Sequence, residues 1–266
     1  MPKLSWLSAR RTRERARSLL RSGRYEAYKE ETKMRVLAVG AHPDDLEILC
    51  GGTLAKYAAQ GHHVTMAVAT NGEVGSMTLP KEEIAAVRKA EAAAAAAIIG
   101  ADFVWMGYPD EFLFSREDTR LAFINLMRRA RPDVVITHAP SDYHPDHRTT
   151  GEICWDIRVM TTVPNIKTEY PVCATIPEIF YMDTVAGISF QPEQYVDISE
   201  SFDLKRKMLA CHESQGGWLK AQYGTTYLEF MEYVARFRGL QCGVRYAECF
   251  QSSTTFPKTC KPSLLP

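Results

Sequence analysis

Four short apolar runs, spaced along the first half of the chain with helical patterns between them, constrain the fold more than any other feature. MRVLAVGA (34–41), HVTMAVAT (63–70), ADFVWMGY (101–108) and DVVITHAP (133–140) have the length and continuous apolarity of buried strands. Between them lie GGTLAKYAAQG (51–61), KEEIAAVRKAEAAAAAAIIG (81–100) and DTRLAFINLMRRARP (118–132), and RTTGEICWDIRVM (148–160) follows the fourth. Gly61 and Gly100 stand where a helix needs a terminating residue. Alternation at this spacing predicts βαβ units, and right-handed crossovers then put helices on both faces of the sheet. The predicted fold class is therefore α/β, a Rossmann-like, mostly parallel sheet. Ligands in such sheets bind beyond the carboxyl ends of the strands. HPDD follows the first run, TNGEVGS the second and HAPSDYHPDH the fourth, so all three are expected to converge there.

The later sequence is less regular. IPEIFYMD (176–183) reads as a strand, SFDLKRKMLACHESQ (201–215) and TTYLEFMEYVARFRG (225–239) as helices, and residues 251–266 as a loosely ordered tail. Residues 1–33 form a basic helical extension ahead of a main domain spanning 34–250. The first 35 residues hold 11 Lys/Arg against 4 Asp/Glu, so the neutral total hides a +7 segment and a −7 remainder. The extension is read as a helix packing on the domain or on another subunit, which leaves a homo-oligomer open. Apart from Tyr25 and Tyr28, residues 10–30 lack aromatics to stack on bases, which disfavours nucleic acid. Seven scattered cysteines without a CxxC pair read as reduced thiols of a cytoplasmic protein. No apolar run approaches a membrane span, and no signal-peptide pattern opens the chain.

The chemistry is concentrated in two clusters. In AHPDDLE (41–47), His42 and Asp45 stand three apart on a turn leaving a strand, a spacing that lets both point to one place. An imidazole and a carboxylate are both good zinc ligands. Asp44, between them, is left to face the substrate side of the same cavity. In YHPDH (143–147), His144 and His147 flank Asp146, and either histidine completes a His₂Asp set. Three protein ligands leave a position for water, as in a catalytic zinc site, and zinc lowers the pKa of such water toward about 7. The same residue types also serve as helix caps, and one cluster alone would carry little weight. Two clusters at strand ends point to a metal.

Together these motifs resemble the LmbE/PIG-L family of zinc-dependent N-acetylglucosaminyl deacetylases. AHPDDLE is similar to its first signature, TNGEVGS (70–76) to its glycine loop and VRKAEAAAAAAIIGAD (87–102) to its R-x-x-E helix. RPDVVITHAPSDYHPDHR (131–148) resembles its second metal signature, and CHESQ (211–215) and YAECF (246–250) its later motifs. The resemblance implies that His42, Asp45 and His147 hold Zn²⁺, with other divalent metals, iron among them, also suited to such a set. It implies Asp44 as general base, His144 as oxyanion donor or acid, and Asp146 as the residue orienting His144. Arg88, His212 and Gln215 become candidate substrate contacts, Arg88 with the plainer alternative of an i,i+3 pair with Glu91. Tyr108, Phe112, Phe114, Tyr143 and Trp218 are candidates for stacking on sugar rings.

The implied activity is removal of an N-acetyl or other acyl group from a GlcNAc-type amino sugar or glycoconjugate by metal-activated water. An amidase acting on thiol–sugar conjugates, or on another acyl-amino natural product, would use the same residues. A nucleotide-binding Rossmann protein is disfavoured because the first turn carries two acids in place of G-x-G-x-x-G. A non-catalytic binding module would leave both metal clusters without a purpose.

Overall fold

The computed structural model describes residues 33–254, 256 and 257. Residues 1–32 of the basic extension expected over 1–33, and most of the tail expected over 251–266, lie outside them. Seven strands form one sheet: β1 (Arg35–Gly40), β2 (His63–Thr70), β3 (Asp102–Tyr108), β4 (Val134–Thr137), β5 (Glu178–Met182), β6 (Gln194–Asp197) and β7 (Ala247–Ser252). Their order is β3-β2-β1-β4-β5-β7-β6. The first five are parallel, and β7 runs antiparallel between β5 and β6. All four expected strands of the first half form, as does the expected β5, and the sheet has the α/β architecture read from the sequence.

Among the described residues the α-helices are α1 (Asp45–Leu49), α2 (Gly51–Ala59), α3 (Lys81–Ile98), α4 (Glu117–Ala130), α5 (Pro145–Ile157), α6 (Phe202–Ala210), α7 (Gly216–Tyr223) and α8 (Tyr227–Cys242). Alternation along the strands decides which layer each residue joins. Leu37 and Val39 of β1 face the core shared with Phe123, Ile124 and Met127 of α4 and Ile153 and Ile157 of α5. Helices α1, α2, α3 and α6 pack against one another as a separate layer.

Three details position the site. Between β1 and β4 the strand order reverses, and the chain leaves these neighbouring strands in opposite directions. The crevice that results is the usual ligand position of an open α/β sheet. Helix α5 starts at Pro145, earlier than the sequence pattern gave, because His144 caps it and proline suits its first position. Gly151 lets α5 press onto the end of β4, since a Cβ there would lie 2.2 Å from the His138 carbonyl oxygen. Among the described residues six cysteines are unpaired, and Cys50, next to the first metal motif, is fully buried core. No described helix is long and apolar enough to cross a membrane.

Candidate metal centre

Asp44 holds a φ of 114° in the turn after β1, a region that side chains other than glycine occupy only at a cost. It stands at the N-cap position of α1, yet its side chain caps nothing. Its Oδ2 instead accepts from the Tyr227 hydroxyl at 2.7 Å and from Arg88 Nη2 at 3.2 Å. His42 and Asp45 meet on their own, with His42 Nδ1 3.4 Å from Asp45 Oδ2. His147, in the first turn of α5, places Nε2 3.2 Å from His42 Nδ1 and 3.3 Å from Asp45 Oδ1.

These three separations test the fit of a metal. Ligand atoms about 2.0–2.1 Å from a tetrahedral ion lie roughly 3.3 Å from one another. The pairwise separations in the triangle of His42, Asp45 and His147 have that size, Asp45 meeting His42 through Oδ2 and His147 through Oδ1. Ligand atoms of His42, His144 and His147, and of Asp45, His138 and His147, also lie within 4.8 Å of one another. The surroundings of the triangle also favour a cation. The residues Asp45, Asp110, Asp142 and Asp146 are each no more than 3% exposed, and buried carboxylates are costly unless opposite charge is near. Two of them stand behind the imidazoles. Asp142 Oδ2 lies 3.1 Å from His147 Nδ1, and Asp110 Oδ1 lies 3.2 Å from His42 Nε2. A carboxylate on the far nitrogen fixes ring orientation and makes the near nitrogen a better ligand. His138, at the end of β4, stacks on His147 with ring centroids 3.9 Å apart.

The electrostatics follow this layout. Burial opposes charge on His42, but Asp110, Asp146 and Asp45 outweigh it and hold the ring well above the usual histidine range. Burial likewise opposes charge on His147, yet Asp45 and Asp142 push it up to about 9. His138 moves down to about 4 because burial and His147 outweigh Asp45. Burial alone would raise Asp45, but His147 and His138 bring it well below the carboxylate range. Asp44 is raised by burial, against the pull of Arg88.

The sequence pattern did not point to Asp110, Asp142, His138 or Tyr227. His138 and Asp142 lie inside the segment resembling the second metal signature, and their spacing from His147 was the available signal. Asp110, in the loop after β3, and Tyr227, at the start of α8, reach the site from segments distant along the chain, and no local spacing marks them.

The remaining candidates fall differently. His144 caps α5, its Nδ1 accepting from the Asp146 N–H at 3.3 Å, while its Nε2 lies 3.2 Å from Glu111 Oε1. The expected pairing of the Asp146 carboxylate with His144 is not made. Side chains two apart on a helix do not face each other, and Asp146 instead accepts from the N–H groups of Glu111 (2.8 Å) and Leu113 (3.2 Å). Arg88 is 4% exposed and joins Pro43 O, Asp44 and Gly72 O. The pair considered with Glu91 is replaced, since Glu91 accepts from Ser214. His212 is 1% exposed, with Nε2 3.5 Å from Glu47. Gln215 donates to Gly75 O and lines a cleft of about 480 Å³ together with Val74, Ser76, Met77 and Ser214. Phe112, Phe114 and Tyr143 are more than half exposed, while Tyr108 packs against the core. The side chain of Trp218 lies outside the described residues.

Comparison with known proteins places the chain in a family. The family model described as PIG-L, GlcNAc-PI de-N-acetylase, matches residues 37–158, which carry β1 to α5 and every corner of the triangle. A "probable N-acetyl-α-D-glucosaminyl L-malate deacetylase 2" of Bacillus cereus is 32% identical over 68% of this chain and 83% of its own length. A 4-oxalmesaconate hydratase of Pseudomonas putida is 25% identical over 84% of this chain and 89% of its own. The structure of N,N′-diacetylchitobiose deacetylase from Pyrococcus horikoshii, bound to its inhibitor, superposes with a TM-score of 0.73 at 27% identity. It covers 84% of this chain and 85% of that one. On this identity and coverage, with the family's matched region holding the candidate centre, the chain belongs to the PIG-L (LmbE) family.

Proposed function

We propose that this chain is a metal-dependent amide hydrolase that removes an N-acetyl or other acyl group from a GlcNAc-type amino sugar or glycoconjugate. The observation that carries the reading is the His42–Asp45–His147 triangle with Asp44 beside it in a strained turn. Zinc is the favoured occupant from the ligand types, and other divalent ions suit the same set. Held there, such an ion supplies Lewis acidity at the acyl oxygen and makes water more acidic.

The protein's own groups do the rest. Tyr227 and Arg88 both donate to Oδ2 of Asp44, and among the described residues no hydrogen bond reaches Oδ1. Oδ1 is therefore the oxygen that takes the proton from the attacking water. His144 carries its ring proton on Nε2, since Nδ1 accepts the Asp146 N–H. That N–H donates a hydrogen bond to the acyl oxygen as negative charge grows, and the departing nitrogen receives the proton that Asp44 took from the water. Arg88 keeps the Asp44 turn and the glycine loop together, because a side chain at Gly72 or Gly75 would meet its Nη1 at 2.5 Å.

The likeness to a hydratase supports a second reading, water addition without loss of an acyl group. One assay separates the two. Metal-replete protein is incubated with N-acetylglucosamine and with N,N′-diacetylchitobiose, with a chelator-treated sample beside it, and released acetate is measured. Acetate that disappears on chelation and returns with zinc is the expected result. No acetate from either sugar would remove simple glucosaminides and give the hydratase reading the advantage.

A further inference from the structure

Glu111 has a backbone conformation that its side chain makes harder to hold. It lies in the loop between β3 and α4 with φ 68°, where glycine sits without strain and a residue with a Cβ does not. The backbone has no need of the side chain at this point. Its contact is the N–H donated to Asp146 Oδ2 at 2.8 Å, and glycine would make it equally well. What glutamate adds is a carboxylate, and that carboxylate lies 3.2 Å from His144 Nε2.

We infer that Glu111 is a positioning residue for His144, an assignment resting on the role given to His144 above. The imidazole is a quarter exposed and has room to turn at the mouth of the site. One nitrogen is tied to the start of α5 through the Asp146 N–H, and the other is tied by Glu111. Both ties lead back to Asp146, whose carboxylate holds the Glu111 backbone. Asp146 thus orients His144 through Glu111 and not by direct contact. In the free protein the carboxylate keeps the Nε2 proton aimed into the mouth, where the acyl oxygen takes it over on binding. A partly exposed pair of this kind adds little to stability, so its value lies in geometry.

Replacing Glu111 by glycine removes the carboxylate and relieves the backbone together, so a structural and a positioning role give opposite results. With metal-replete protein and N,N′-diacetylchitobiose, Glu111→Gly is expected to lower kcat between about 10- and 100-fold, the range for small misplacements of a catalytic group. KM should change less than kcat, and the melting temperature should hold or rise. Glu111→Gln keeps an acceptor within reach and is expected to retain most of the activity. In a His144→Ala background, Glu111→Gly should add no further loss. The ¹⁵N spectrum of the histidines gives a readout independent of turnover. His144 should be a single Nε2–H tautomer in the parent and an averaged ring in Glu111→Gly. An unchanged His144 spectrum, or a loss of equal size in the His144→Ala background, would overturn the assignment. Full activity of His144→Ala alone would instead overturn the role of His144, whatever Glu111 does to its ring.

Discussion

Asp44 is held in a backbone conformation that costs on the order of 1–3 kcal/mol and directs its carboxylate away from the helix end it could have capped. What the conformation gains is a carboxylate with one oxygen engaged and the other without a hydrogen bond from the described residues. Asp44→Asn keeps the shape and the metal triangle but cannot accept a proton, and kcat should fall by about 10²-fold or more. Acetate release alongside metal analysis checks this, and full turnover with normal metal content would remove Asp44 as the base. Tyr227→Phe deletes one donor to Oδ2. A hydrogen bond to a charged group contributes about 1.5–3 kcal/mol, so a loss of about 10- to 150-fold in kcat is expected, and none beyond that of Asp44→Asn when the two are combined. Unequal legibility at this scale has a physical cause. His42 and Asp45 stand in one short motif at a strand end, where spacing along the chain converts directly to spacing in space, whereas spacing left His144 and His147 as alternatives and only the family resemblance chose between them. Tyr227 lies 183 residues from Asp44, and a tyrosine opening an amphipathic helix looks like any core residue. The Asp146–His144 pairing failed because residue proximity along a helix was taken for side-chain proximity, which the helical period forbids two residues apart.

At the scale of elements, the site depends on how closely α5 approaches β4. His147 is one turn before Gly151, and Gly151 touches the His138 carbonyl with no room for a Cβ. Gly151→Ala must push the helix outward and carry His147 away from His42 and Asp45. Weaker zinc binding, by about tenfold or more, and a lower melting temperature are expected. Each 1.4 kcal/mol of lost ligand geometry corresponds to that factor of ten. Competition with a chelating dye measures the first and thermal unfolding the second. An unaltered zinc affinity would show that α5 has slack in this direction. The strands and longer helices before residue 160 were legible because their periodicity is long and regular, whereas α1, with five residues, was read as part of the turn after β1. Strands β6 and β7 were not, since QYVD has only four residues and AECFQS mixes polar and apolar positions. Both are antiparallel additions, and no βαβ rhythm announces them.

Across the whole molecule, the C-terminal part is bound to the parallel half by buried charge. Glu248 of β7 accepts from the N–H groups of Gly52 and Thr53 at the start of α2, at 2.8 and 2.7 Å, and pairs with Lys205 of α6. Lys205 also donates to Ile48 O at 2.7 Å. Glu248→Ala would strand a buried ammonium and two helix-end N–H groups, and a loss of about 3–5 kcal/mol is expected. A shift of the urea midpoint to lower concentration checks this, and an unmoved midpoint would mean that water replaces the carboxylate freely. A second fork, Arg238 to Asp183 at 2.7 and 3.0 Å, joins α8 to the residue just after β5. The insertion of β7 between β5 and β6 has a consequence for biosynthesis. Every corner of the metal triangle has been translated once residue 147 is joined, yet the strand that closes β5 on its open side spans residues 247–252. From the completion of β5 at residue 182 until β7 begins at 247, the nascent chain carries the candidate metal ligands beside a bare sheet edge, a ready template for other strands. Newly made chains should therefore be most prone to aggregation between the emergence of β5 and that of β7.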